Sequence, residues 1–311
     1  LSLAYNNTNK IITPPFLKEG DKVAIVSPAG KVKREIIEQG INVLQQQGFK
    51  VVVGEHAYNS YSVFAGTDPD RAGDLQKVLD NDEIRAVFFS RGGYGSIRTL
   101  QLIDWERFLK NPKWLVGFSD ITVFHSFLFS NNIVSLHGVM PSFFKQNDEL
   151  TDSFELTINL LKGILPKYNV NQHPLNTYGT VKGNLVGGNI SVLMSLRGTS
   201  LDILNKGGIL FIEDIGEYYY HLDRIMMNFK TGNILQNMSG LIVGHFTDMK
   251  TSNSDYGKTA YEIIHDAVKE YDYPVVFGFP AGHELPNYPL LMGGKVEVDV
   301  TREGCNINCD L

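Results

Sequence analysis

A serine, a pair of carboxylates, a histidine and a glycine-rich loop are the residues of this chain that could do chemistry together. Ser119 stands in WLVGFSDITVFHSFLFS, where the apolar run 114–116 reads as a buried strand and apolar residues at helical spacing follow the turn Gly-Phe-Ser-Asp. Strand, sharp turn and helix would push a serine hydroxyl out at the carboxyl end of a strand. The free amides that open the helix could hold an oxyanion. Two residues after the serine stands Ile121, not the glycine of the α/β-hydrolase elbow, and Ser-Asp also suits a plain helix cap. Ile121, Phe124, Phe127 and Leu128 share one predicted face of this helix, with Thr122 and His125 off it.

Acyl transfer from a serine needs a base, a group to orient that base, and donors for the oxyanion. Of eight histidines, His283 is the best base on local grounds, because Gly282 and Pro286 define its loop directly after a strand. His137 and His245 also follow strands and stay open as alternatives. Glu213 and Asp214 emerge from the apolar run ILFIED, where an acid would be partly desolvated and fixed. Glu217 lies four residues on, at the start of a predicted helix, so Glu213 is the better orienting group. In SRGGYGS, residues 90–96, three glycines follow a strand and let backbone amides approach a ligand. That loop reads as an oxyanion nest with Arg91 or Tyr94 reaching substrate, or as a tight strand-to-helix turn. No Gly-Lys-Ser/Thr follows it, so it is not a P-loop.

The elements that must position these groups alternate in the first half. Strands are predicted at 23–26, 51–53, 86–89, 114–116 and 133–136, with helices at 32–47 and 67–79 and in the elbow. Such alternation predicts a parallel sheet covered on both faces, with ligands at the carboxyl ends of its strands. SPAG after the first strand is not a dinucleotide fingerprint, so no nicotinamide cofactor is expected. Residues 14–142 are read as an α/β domain carrying the nucleophile, 143–180 as a linker with one amphipathic helix, and 181–311 as a second domain carrying Glu213 and His283. In that second domain strands are predicted at 208–212, 241–243 and 274–277, helices at 190–196, 217–229 and 256–268, and a hairpin at the end.

The chain has 311 residues, 43% of them hydrophobic and 20% charged, with net charge −6. That balance suits a globular protein and argues against general affinity for nucleic acid or anionic membrane. No apolar run approaches the ~18 residues of a spanning helix. The opening LSLAYNNTNK is polar and reads as a tail rather than a signal peptide. Cys305 and Cys309 alone make neither a disulfide framework nor a zinc site, and point to a reducing cytoplasm.

Seven blocks taken together, GDKVAIVSPAG, RGGYGSIRTL, VGFSDIT, LHGVMPS, GNLVGGNISVLMSLRGT, ILFIEDIGEYYYHLDRIMMNF and GFPAGHELPNYPLLMGG, resemble the LD-carboxypeptidase family, which includes the microcin C self-immunity peptidases. The likeness runs over roughly residues 14–300, with the blocks in the family's order. It implies a flavodoxin-like, amidotransferase-like α/β domain followed by a smaller β-rich swivelling domain. It also implies a cofactor-free and metal-free serine peptidase that hydrolyses the bond to the terminal D-Ala of cytoplasmic murein tetrapeptides, with a dimeric assembly. The triad carries over onto Ser119, Glu213 and His283, and the oxyanion hole onto the backbone of Asp120 and of Gly92 or Gly93. Arg91 or Arg98 is expected to meet the substrate carboxylate. An aminoacyl-adenylate peptidase, with Tyr218–Tyr220 stacking a purine, and a non-catalytic peptide or sugar-phosphate binding module are the alternative functions.

Overall fold

The computed structural model describes residues 10–252 and 255–310; the polar opening read as a tail, apart from Lys10, lies outside them. The chain divides into two compact units. One runs to Ile164 and takes back Tyr288–Gly293; the other holds Leu165–Asn287 and the segment from Gly294 onward. No helix among the described residues is long and apolar enough to cross a membrane.

The first unit opens with β1 (Lys22–Val26), α1 (Arg34–Gln46), β2 (Lys50–Val53), α2 (Asp68–Asp80) and β3 (Ile84–Phe89). It continues through α3 (Ser96–Leu100), α4 (Glu106–Lys110), β4 (Trp114–Gly117), α5 (Thr122–Ser130) and β5 (Ser135–His137). A small ribbon of β6 (Lys145–Gln146) and β7 (Glu149–Leu150) precedes α6 (Asp152–Leu161). Each boundary has a local cause. Thr67 and Asp70 form a reciprocal capping box that starts α2, and Gly48, at φ +90°, lets the chain leave α1.

The sheet order is Leu290–Met292, β5, β4, β3, β1, β2; the strand Leu290–Met292 runs antiparallel to β5 and the rest are parallel. β1, β3 and β4 bury nearly every side chain, as a sheet covered on both faces requires. Each large apolar side chain so buried contributes roughly 1.5–3 kcal/mol.

One expectation fails here. α5 is buried all round, and Thr122, His125 and Ser126 are as enclosed as its phenylalanines. The polar members are tolerated because they are bonded. His125 Nε2 donates to the Gly117 carbonyl at 2.9 Å, so Nδ1 is the acceptor for the Ser135 hydroxyl at 2.7 Å. Burial holds this neutral imidazole down to about 4.

The second unit contains β8 (Lys167–Val170), β9 (Gly179–Asn189), α7 (Ile190–Ser195), β10 (Gly208–Ile215), α8 (Tyr219–Thr231), α9 (Ile234–Asn237), β11 (Met238–Thr247), α10 (Ala260–Val268) and β12 (Val275–Phe277). Leu290–Met292 is β13, and β14 (Lys295–Val300) with β15 (Cys305–Asp310) closes the chain as the expected hairpin. The order is β12, β11, β10, β9, β14, β15, β8. β9 is long enough to serve two partners: residues 179–184 pair antiparallel with β14, and 185–189 parallel with β10. The chain passes from the first unit to the second after Ile164, and β8, inside the span read as a linker, is a strand of the second sheet. α10 begins at Ala260 rather than 256, because Thr259 and Glu262 form its capping box and Gly257 sits at φ +77°.

Candidate active site

In the first unit the chain leaves β4 through Phe118, at φ −147°, and reverses at Ser119, at φ +68°. A non-glycine residue there costs roughly 1–3 kcal/mol and persists only where its surroundings impose it. The benefit is geometric: a single 3₁₀ turn, Ser119–Ile121, follows at once and runs into α5. The backbone of Gly92 lies against the half-buried serine. A Cβ on Gly92 would stand 2.9 Å from Ser119 Cβ, 3.0 Å from its Oγ and 3.2 Å from the Asp120 amide nitrogen. Gly93, at φ +98°, is the exposed residue of that pair. The carboxylate of Asp120 is buried and accepts the Ser96 N–H at 2.8 Å. Burial raises its pKa, against the bonds from Ser96 and Gly95 and the pull of Arg71.

In the second unit Glu213 lies inside β10, which continues to Ile215 rather than stopping at 212. The ladder to β11 slips here: Ile212 pairs with Val243, but Asp214 with Phe246, so Gly244-His245 carry an extra residue. That bulge builds the next loop. Phe279 N–H donates to Val243 O at 3.0 Å and His245 N–H to Ala281 O at 2.8 Å. Gly282 N–H then donates to the buried Asn287 Oδ1 at 2.9 Å. His283 follows, with Nδ1 2.6 Å from Glu213 Oε2. Glu213 has no solvent exposure, and its Oε1 has no hydrogen-bond partner among the described residues. Burial pushes the His283 imidazolium down, but the charge and hydrogen bond of Glu213, with the charge of Asp214, outweigh it and raise its pKa.

Asp214 takes bonds from Asn189 Nδ2 at 2.8 Å, Ser191 Oγ at 2.6 Å and its own neighbour's amide, Ile215 N, at 2.8 Å. Asn189 pairs with Glu213 in the β9–β10 register and caps α7. Its cap role is legible in GGNIS; its reach to Asp214 is not, since no local pattern relates residues 25 apart.

The remaining candidates separate. Glu217 pairs with His221 at 2.8 Å and not with His283. Arg91 is exposed and donates to Lys31 O at 2.9 Å. Tyr94 is exposed, its ring 5.8 Å from that of Phe64. Arg98, the other cation considered for a substrate carboxylate, is held by both oxygens of Asp68. His125 has both ring nitrogens engaged, and His56 is bonded to Asp74 at 2.9 Å. His245 is largely buried, 3.7 Å from Glu284, and desolvation lowers its pKa.

Two family descriptions match the chain: the LD-carboxypeptidase N-terminal domain over residues 23–138 and the LD-carboxypeptidase C-terminal domain over residues 182–298. A Bacillus subtilis protein described as a probable murein peptide carboxypeptidase is 30% identical, over 93% of this chain and 92% of its own length. The microcin C7 self-immunity protein MccF of Escherichia coli is 26% identical over 94% of both chains. The crystal structure of muramoyltetrapeptide carboxypeptidase from Oxalobacter formigenes superposes with a TM-score of 0.83 at 28% identity, over 93% of this chain and 99% of that one. The chain belongs to the LD-carboxypeptidase family and is a serine-type carboxypeptidase, a hydrolase.

Proposed function

We propose that this enzyme removes the terminal D-alanine of murein tetrapeptides in the cytoplasm, with Ser119, Glu213 and His283 as its triad. The observation that carries the serine assignment is Ser119 at φ +68° on the strand-to-helix turn, with glycine backbone against its hydroxyl. The Glu213–His283 bond supports the base. A carboxylate only accepts, so Nδ1 carries the proton and Nε2 of the neutral imidazole is the basic nitrogen. His283 then takes the Ser119 proton as Oγ attacks the carbonyl of the L-centre, and returns it to the departing D-alanine amine. Glu213 orients the ring and stabilises its cation. The amides of Asp120 and of Gly92 or Gly93 receive the oxyanion, and water hydrolyses the ester. Arg91 is the cation proposed for the terminal carboxylate, with Tyr94 beside it.

Cys305 and Cys309 are both free thiols. They lie four residues apart on one extended strand, about 13 Å, too far to bridge. Two such thiols suit a reducing compartment. The dimer that the family resemblance implies belongs to the same reading, and light scattering of the purified chain checks it.

A second reading, hydrolysis of aminoacyl-adenylate analogues, draws on Tyr218 and Tyr220, both exposed with rings 5.4 Å apart, as a surface for a purine. The deciding experiment is mass-spectrometric detection of D-alanine from L-Ala-γ-D-Glu-diamino acid-D-Ala, run beside Ser119→Ala. The parent should release it, and the variant should lose at least about 10⁴-fold in kcat. No release by the parent, with turnover of an aminoacyl sulfamoyl adenosine, would replace the first reading by the second. Equal release by both would reduce Ser119 to a helix cap.

A further inference from the structure

The first unit holds a buried cation that the serine chemistry leaves unused. Arg71 lies on α2, and its side chain has no solvent exposure. Its Nη1 donates to the Pro28 carbonyl at 3.0 Å, Nε to the Thr67 carbonyl at 3.4 Å, and Nη2 to the carboxylate of Asp68. The guanidinium carbon sits 4.7 Å over the ring of Phe64. Gly95, at φ +136°, passes so close that any Cβ there would collide with the guanidinium. An enclosed guanidinium is costly unless its rigid fork of donors is used. Here two of its donors go to backbone carbonyls, and glycine-loop backbone lies directly on it.

From Arg71 a short line of contacts leads to the serine. The Pro28 carbonyl also accepts Thr99 Oγ1 at 2.7 Å. Two residues on, Gly30 N–H donates to Gly92 O at 3.0 Å. Gly92 is the residue whose backbone lies against Ser119 and the Asp120 amide. At the far end of the loop, Ser96 N–H is held by the Asp120 carboxylate. The glycine loop is therefore clamped at Gly92 through Gly30, at Gly95 by Arg71, and at Ser96 by Asp120.

We propose that Arg71 is a positioning residue for the oxyanion-binding loop, fixing through Pro28 and Gly95 where Gly92 and Gly93 stand against Ser119. The inference rests on the serine reading above and adds a residue that touches no substrate. A donor displaced by about 1 Å costs on the order of 10²-fold in rate, and an oxyanion donor acts on the transition state more than on the bound substrate. The loss should therefore fall on kcat and spare KM.

The test uses Arg71→Lys and Thr99→Val, each read in two ways. The first is hydrogen exchange of the Gly30 amide by NMR, which needs no substrate. The second is kcat and KM for the tetrapeptide per active site, titrated with a serine-directed phosphonate. Gly30 protection should fall at least about tenfold in both variants, since the bonds they lose hold Pro28. kcat should fall about 10–100-fold in Arg71→Lys and less in Thr99→Val, with KM within about twofold. Unchanged Gly30 exchange overturns the proposal, and so does a loss confined to the titratable fraction with kcat per site intact. If Arg71→Lys does not fold, the near-isosteric Thr99→Val decides by the same readouts. A parent chain that releases no D-alanine overturns the substrate reading, while Gly30 exchange still decides the brace.

Discussion

In the first unit the groups described beside Ser119, itself at a left-handed φ, are backbone: the Asp120 amide and the Gly92 main chain. In the second unit the paired groups are side chains, a fully buried glutamate bonded to a largely buried imidazole. Each includes a glycine at a point of close approach. A Cβ on Gly92 would meet Ser119 at 2.9 Å; one on Gly282 would stand 3.2 Å from Glu213 Oε2. The contrast separates two kinds of vulnerability. A backbone-built group tolerates changes of side-chain chemistry and fails when atoms are added. A charge-built group tolerates little change of charge even where shape is kept.

The largest effect that sharpens this contrast is Glu213→Gln, which keeps the shape and removes the charge. It should lower kcat by about 10³–10⁴-fold with KM little changed, as loss of the orienting carboxylate does in serine triads. A loss of less than about tenfold would mean that Glu213 does not orient the base. Next comes Gly92→Ala, which adds one methyl group and alters no charge. Displacing a single oxyanion donor should cost about 10²–10³-fold in kcat, measured against active-site-titrated parent. If Gly92→Ala kept parental kcat, the first unit's backbone would not be the oxyanion site.

The smallest effect is on pH. As the proposed base His283 must be neutral, and Glu213 raises its pKa against the effect of burial. The acid limb of kcat/KM should therefore have its midpoint above the ordinary imidazole value of about 6.5. In Glu213→Gln the residual activity should show that limb shifted downward. For stability the sign follows from the same raised pKa. The folded state binds the proton more tightly, so the stabilisation is fully present below the unfolded value and is lost as pH rises through the folded one. Denaturant midpoints across pH 5–9, parent against Glu213→Gln, would show it, and parallel curves would refute it.

Much of the local structure was legible because local rules govern it. The helix start at Thr67, the strand–turn–helix around Ser119 and the closing hairpin all rest on residues within a few positions of each other. Glu213 read as a strand end and Glu217 as a helix start; in the structure β10 runs on to Ile215, α8 begins at Tyr219, and the two carboxylates take different histidines. What was illegible is long-range. His125 looked like a polar residue off the apolar face, because its two bonds go to a carbonyl and a hydroxyl outside its own helix. Arg71 gave no signal in DPDRAGDL, since its partners Pro28 and Gly95 belong to loops 43 and 24 residues away. The slip at Gly244-His245 is a property of a strand pair, and neither strand alone reveals it.

β13 carries a consequence for how the molecule is made. The outermost strand of the first sheet is Leu290–Met292, whereas its partner β5 ends at His137. A ribosome therefore completes the second unit's parallel strands before it delivers the piece that finishes the first. Until then β5 has a bare hydrogen-bonding edge, the kind of edge that recruits other chains. A fragment ending at residue 164 should accordingly self-associate at micromolar concentration in light scattering, and a synthetic peptide covering residues 286–294 should restore its monomer. The nascent protein is thus most exposed to misassembly during synthesis of the residues between β5 and β13, a window set by chain order rather than by the stability of either unit.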